Sequence, residues 1–352
     1  MADSTIASSS SSSPAAAAAT VEDLPADVLR LVLRRLDGAS LAALGAASSA
    51  FRGLADDPDT WRALCLGAWP SVRGLPSTLF SGAGGRAYWR TLYADAFPFP
   101  SSTSGAALPG PATCTRRRLP ARLVSAVDLC HGGVQVMSRV VDTDATCPWF
   151  LGSPFRVDAL LQEGFTILTP SSSPAPAAFS FAPEELTLSW ILIDPATGRA
   201  LNASSRRPVR VDRPPRWLGN GDAVARFCVV IAGAGEEAVA MEAAVTCDGG
   251  GRGHVREVSL TCASMAEEGG GGGVSGEDAL AAVAAALAGR RRCGRRGEED
   301  EEARRRSYEE FGRRKRERKE RKKRREGAID LCCSGVVGAA ALVAFLVLLV
   351  FR

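Results

Sequence analysis

The sequence predicts an α+β chain in three parts. They are a three-helix module near the N-terminus, a β-rich, sandwich-like middle domain, and a single C-terminal transmembrane helix. Three patterns carry this reading. Large apolar residues recur at helical spacing between residues 22 and 66, on alternate residues through much of 119–262, and without a charge from Cys332 to Phe351.

Residues 1–20 are Ser/Ala-rich and lack the large apolar groups that offset chain entropy, so they are expected to be disordered. In residues 21–66, Leu24-Pro25 opens a first helix, where a proline loses no needed hydrogen bond. Val28, Leu29, Val32, Leu33 and Leu36 share one face of it. Gly38 breaks it, and Ser40 is a candidate cap for a second helix with Leu41, Leu44 and Ala47 inward. Asp57-Pro58 pairs a cap with a first-turn proline for a third helix through Trp61 and Leu64. Such a small bundle has little core of its own and gains by packing on a partner. Residues 67–118 read as a loop, a short helix over Arg86–Phe97 and a Pro/Ser/Gly-rich linker.

From 119 to 263 the period becomes two. In Leu186, Leu188, Trp190 and Leu192 large apolar groups fall on alternate residues. The pattern recurs in Phe227, Val229 and Ile231, the residues Met241 to Cys247, and Val258, Leu260 and Cys262. Asp194-Pro195-Ala196-Thr197-Gly198 is a turn signal between two extended runs. Strands without intervening helices suggest an antiparallel sandwich or barrel. Residues 264–326 follow as a glycine-rich break, an Ala-rich helix over Glu277–Leu287 and a charged, partly helical stalk.

The segment 329–352 holds the third pattern. At about 1.5 Å per residue, twenty residues span about 30 Å, the thickness of a bilayer core. Eleven of the thirteen residues Arg313–Arg325 are Lys or Arg. Positive charge is retained on the cytosolic side, which predicts a tail anchored through 332–351 with the N-terminal bulk in the cytosol. The endoplasmic reticulum or another secretory-pathway membrane is the expected location, with anionic lipids as further contacts. Cys332 and Cys333 at the membrane interface are candidates for S-acylation, or are simply small residues tolerated there.

Composition narrows the function. The chain of 352 residues has a net charge of +4, but residues 290–326 alone carry 19 basic and 10 acidic side chains. The remainder has 24 basic and 29 acidic, so the basic character is local and a chain-wide nucleic-acid binder is excluded. Ten cysteines include no CxxC pair, and the two histidines, His131 and His254, stand far apart, so metal-ligand spacing is absent. Neither histidine has a nucleophile in a recognisable motif. The glycine runs lack the Lys-Ser/Thr of a phosphate-binding loop. No catalytic residue, metal or cofactor is expected, and buried, reduced cysteines are the favoured reading.

The N-terminal residues resemble the F-box. The pattern is Leu24-Pro25-Ala26-Asp27-Val28-Leu29, Val32-Leu33-Arg34-Arg35-Leu36, Ser40-Leu41, Phe51-Arg52, Asp57-Pro58 and Trp61-Arg62-Ala63-Leu64. Phe51 stands where tryptophan is common. The order of parts also resembles a group of plant F-box proteins ending in a membrane segment. The resemblance implies binding to a Skp-type adaptor and, through it, a cullin-RING ubiquitin ligase. It implies adaptor contacts by Leu24, Pro25, Val28, Leu29, Val32, Leu33, Leu41, Leu44 and Trp61. It further implies a non-catalytic receptor whose middle domain recruits an unknown protein substrate. The alternative is a membrane-anchored scaffold whose β domain binds a ligand without any ligase role.

Overall fold

The computed structural model describes residues 21, 24–76, 79, 85–96, 119–161, 165–166, 182–213, 221–232, 238–248, 254–265, 273–289 and 298–351. The expected disordered stretch 1–20 and the linker 98–118 lie outside the described residues. The chain divides into two units, Met1–Leu64 and Cys65–Arg352. The first is helical and the second β-rich, so the fold is α+β.

The first unit contains α1 (Ala26–Leu33), α2 (Gly38–Ala47), α3 (Ser49–Ala55) and the start of α4 (Pro58–Ala68). Sequence spacing predicts three helices here, and α3 is the addition. Only Ser48, in extended conformation, separates α2 from α3. The Ala/Ser-rich run across that break carries too few large side chains to show a change of phase.

The second unit is built on two antiparallel sheets. Strands β1 (Arg122–His131) and β2 (Val134–Asp144) form a hairpin closed by Gly132 and Gly133, with φ of 55° and 83°. Two positive φ values in succession are what a two-residue type I′ turn requires, and glycine takes them without strain. Adding β5 (Leu186–Ile193) and β6 (Ala200–Asn202) gives the order β2-β1-β5-β6. The second sheet comprises β3 (Arg156–Leu160), β7 (Arg210–Asp212), β8 (Ala223–Ala232), β9 (Ala238–Cys247) and β10 (His254–Ser264). Its order is β3-β10-β9-β8-β7, with β4 (Phe165–Thr166) also on β10. The alternating residues named above meet in one core: Leu188, Trp190 and Leu192 from the first sheet with Phe227, Met241 and Leu260 from the second. The expected turn is present, with Gly198 donating to the Asp194 carbonyl at 2.8 Å and holding a φ of 68°.

Helix α7 (Gly276–Ala288) belongs to the same core through Leu280, Val283 and Leu287. Ser275 caps it by accepting the Asp278 N–H. Gly276 is required because a Cβ there would sit 2.0 Å from the carbonyl oxygen of Phe150, in the short helix α6 (Pro148–Gly152).

The central strands β1 and β5 of the four-stranded sheet are buried on both sides, whereas the edge strand β2 is largely exposed. The outer face of the sheet is covered by the 3-10 turn Pro70–Gly74 and by α5 (Gly85–Ala96), which bring in Trp69, Val72, Tyr88 and Leu92. Two aspartates fasten this cover. Asp128 on β1 accepts the Ser71 N–H at 2.8 Å and the hydroxyls of Ser71 at 2.5 Å and Ser138 at 2.7 Å. Asp95 on α5 accepts Arg199 Nε at 2.7 Å and the Ala200 N–H at 3.1 Å.

Helix α8 runs from Glu298 to Val350 as 53 continuous residues. Its early turns lie on β8 and β9, where Phe311 packs against Cys228, Val230 and Ala240. This corrects the expectation of a membrane anchor. The apolar run is the end of a helix that begins in charged residues, and among the described residues no helix is long and apolar enough to cross a membrane. The single-pass topology, the secretory-pathway location and the membrane contact through 332–351 fall with it. Cys332 and Cys333 have side chains outside the described residues.

Among the described residues Cys65, Cys130, Cys147, Cys228, Cys247 and Cys262 are in no disulfide. Burial pushes Cys65 and Cys247 up to about 12, which keeps both protonated and unreactive.

Burial also raises the Asp128 carboxyl above its ordinary value, against the pull of its hydrogen bonds from Ser71 and Ser138. The folded chain therefore holds this proton more tightly than the unfolded chain. The contribution of Asp128 to stability is greatest in acid and declines as pH rises from the ordinary value through the raised one. Urea unfolding of wild type and Asp128→Asn across about pH 4 to 7 checks this. The stability of wild type relative to the variant should fall with rising pH, and a relative gain would contradict the assignment.

Candidate functional site

The candidate site is the first helix of the N-terminal unit. Its start is set by Pro25, whose carbonyl accepts the Leu29 N–H at 3.1 Å, and by Asp27, which pairs with Arg30 at 2.9 Å across one turn. Asp27 also lies in the first turn, where a negative charge complements the helix dipole. The next helix is capped by Asp37, whose carboxylate accepts the Ser40 N–H at 2.7 Å. The cap thus falls three residues before Ser40, the residue expected to supply it, and Gly38, expected to break the first helix, is the first residue of α2, with α1 ending at Leu33. Asp57 caps α4 as expected, taking the Thr60 N–H at 3.2 Å and the Thr60 hydroxyl at 2.6 Å.

Apolar side chains cover a wide arc of α1. At about 100° per residue, Leu31, Val28, Val32, Leu29 and Leu33 together sweep about 200°. One part of that arc faces inward: Leu29 and Leu33 are buried, as are Leu41, Phe51 and Trp61. Trp61 Nε1 donates to the Ala55 carbonyl at 2.7 Å and so ties α4 to α3. The other part faces solvent, with Val28 43%, Leu31 64% and Val32 53% exposed. Val21 and Leu24, just before the helix, extend this outward surface at 64% and 44%. Covering these five half-exposed side chains would contribute on the order of 5 kcal/mol, taking roughly half of about 2 kcal/mol for each.

The residues singled out in the sequence therefore separate. Leu24, Pro25, Val28 and Val32 lie on the surface, Leu44 is half-buried, and Leu29, Leu33, Leu41 and Trp61 form the interior. Val21 and Leu31 are the surface members that the sequence reading did not select. The width of the apolar arc was the signal for Leu31, since a helix packed on one side only needs a narrower stripe.

An F-box-like family profile matches residues 21–67, the stretch that carries this surface. Three relatives from Arabidopsis thaliana align over much more of the chain. F-box protein At2g27310 is 33% identical over 259 residues, covering 68% of this chain and 72% of the relative. The chain belongs to the F-box protein family. Probable F-box protein At2g36090 is 37% identical over 237 residues, and F-box protein At3g44326 is 35% identical over 227. These two alignments take in 66% and 62% of this chain but only 65% and 59% of the relatives' own lengths. No solved structure matches the chain.

Within the F-box helices, Gly45 marks the close crossing of α2 and α3. A Cβ at this position would lie 2.9 Å from the Ala55 Cβ. Gly45→Val should therefore destabilise the module by about 1–3 kcal/mol. The measurement is amide hydrogen exchange in α2 and α3, which should quicken while the β strands keep their protection.

Proposed function

We propose that this F-box protein is a substrate receptor of a Skp-cullin-F-box ubiquitin ligase. The outward face of α1, extended by Leu24 and Pro25, docks on a Skp-type adaptor. The β-rich unit recruits the protein to be modified. The observation that carries this reading is the set of apolar side chains on α1 that the module leaves in solvent. A surface of this kind, rimmed by the exposed Arg30, Arg34 and Arg35, marks a protein interaction site. The receptor role needs no catalytic group. Holding a target beside the charged conjugating enzyme raises the effective concentration of its lysines, and proximity alone supplies rate.

The inward residues contribute indirectly in this scheme. Leu29, Leu33, Leu41 and Trp61 hold α1 at the angle that presents Val28 and Val32. Truncating them unfolds the module, whereas changing the outward residues leaves it intact.

The test follows from that division. Val28→Asp with Val32→Asp puts two charges on the docking face and nothing in the core. Capture of a purified Skp-type adaptor should weaken by at least about a hundredfold, since two charges left facing an apolar interface cost about 3 kcal/mol or more. Helical circular dichroism should be unchanged. Full adaptor binding by the double variant, or none by the wild type, sinks the proposal.

A further inference from the structure

The docked part of α8 carries a motif that the ligase reading does not use: Arg304-Arg305-Arg306-Ser307. Guanidinium groups two and three residues before a serine hydroxyl are the charge pattern by which arginine-directed kinases select their acceptor in an acidic cleft. Ser307 is half-buried, and it sits three residues after Arg304 and four before Phe311. Those two residues face the sheet, with the Arg304 side chain 10% exposed and Phe311 6%.

The contacts that dock α8 surround this serine. Glu301 accepts the backbone N–H of Arg206 at 3.0 Å and that of Arg207 at 3.3 Å, clamping the start of the helix to the chain leading into β7. Arg304 Nη1 donates to the same Glu301 carboxylate at 2.6 Å and holds it in place. The Tyr308 hydroxyl reaches Glu242 Oε2 on β9 at 3.4 Å, and Glu242 is in turn paired with Arg226. Burial, then the neighbouring Glu242, pushes the Tyr308 hydroxyl up to about 12, so it stays a hydrogen-bond donor. Phe311 closes the contact against Cys228, Val230 and Ala240.

We propose that Ser307 is a phosphate-acceptor site for an arginine-directed serine kinase and that its phosphorylation loosens α8 from the sheet. The transfer is from ATP. The Ser307 Oγ forms a new bond to the γ-phosphorus and the bond from that phosphorus to the β,γ-bridging oxygen breaks. ADP leaves, and the hydroxyl proton passes to the kinase's base.

The product carries a charge of about −1.5 to −2 at neutral pH. Arg304, one turn back on the same helix, is within pairing distance by its spacing, and a phosphate draws it away from Glu301. Glu301 then loses the cation that holds it toward Arg206 and Arg207. Glu310, one turn on, and Glu242 across the contact add repulsion. A dianion placed beside the apolar seat of Phe311 also disfavours the packed state.

The experiment uses the full chain, ATP and the catalytic subunit of cyclic-AMP-dependent protein kinase as the arginine-directed probe. Mass spectrometry locates the phosphate, and amide hydrogen exchange reads the docking. Ser307 should be labelled, and Ser307→Ala should lose that label while exchanging like unmodified wild type. In the phosphorylated chain, amides of residues 301–311 should exchange at least about tenfold faster, with β9 and β10 unchanged. Absence of label at Ser307 in the full chain overturns the proposal. So does label at Ser307 with exchange across 301–311 unaltered.

Discussion

Strands β1 and β5 carry apolar side chains on both faces, and a strand of that kind needs a layer on each side. Leu123, Val127, Leu188 and Trp190 point to the second sheet, while Val124, Ala126, Ile191 and Ile193 point the other way and are just as buried. The 3-10 turn Pro70–Gly74 and α5 supply the second layer. That requirement joins residues 69–96 to the β-rich unit across the whole stretch between them and β1. It also explains where the buried polar groups sit. Asp128 on β1 accepts from Ser71 in the cover, and Asp95 in the cover accepts from Arg199 and Ala200, so each joins parts of the chain far apart in sequence. A carboxylate buried without such donors would cost several kcal/mol.

The F-box module shows the opposite balance. Fewer than fifty residues cannot cover the apolar arc of α1, and the two halves of that arc have different fates. The inner half packs the bundle; the outer half stays in water. A module that small is expected to be marginally stable alone, so a partner that covers Val28, Leu31 and Val32 stabilises it as well as recruiting it. Under the proposed function, such a unit followed by an independently cored β-rich unit would hold an adaptor and a target at once.

Much of this was legible in the sequence. The alternation around Leu186–Leu192 and Met241–Cys247 placed core strands because the strand period is two and one face is fully buried. Trp190 is inside as its neighbours required. The turn at 194–198 was readable from its Asp, Pro and Gly. What escaped detection depended on tertiary partners. The burial of β1 on both faces blurs its alternation, the seating of α7 rests on the approach of Gly276 to Phe150, and the break at Ser48 has no side-chain signature. In the candidate site, periodicity selected one apolar face on α1, but which half of it turns inward is decided by α2, α3 and α4. The run 332–351 was read as an anchor from its length, its lack of charge and its basic flank, and among the described residues no helix is long and apolar enough to cross a membrane.

The most direct test of the central claim is hydrogen exchange of the full chain with and without a purified Skp-type adaptor. The account predicts slowed exchange in α1 and in the turn leading to α2, with the two sheets unaffected. Protection that appears in the sheets and spares α1 would contradict it.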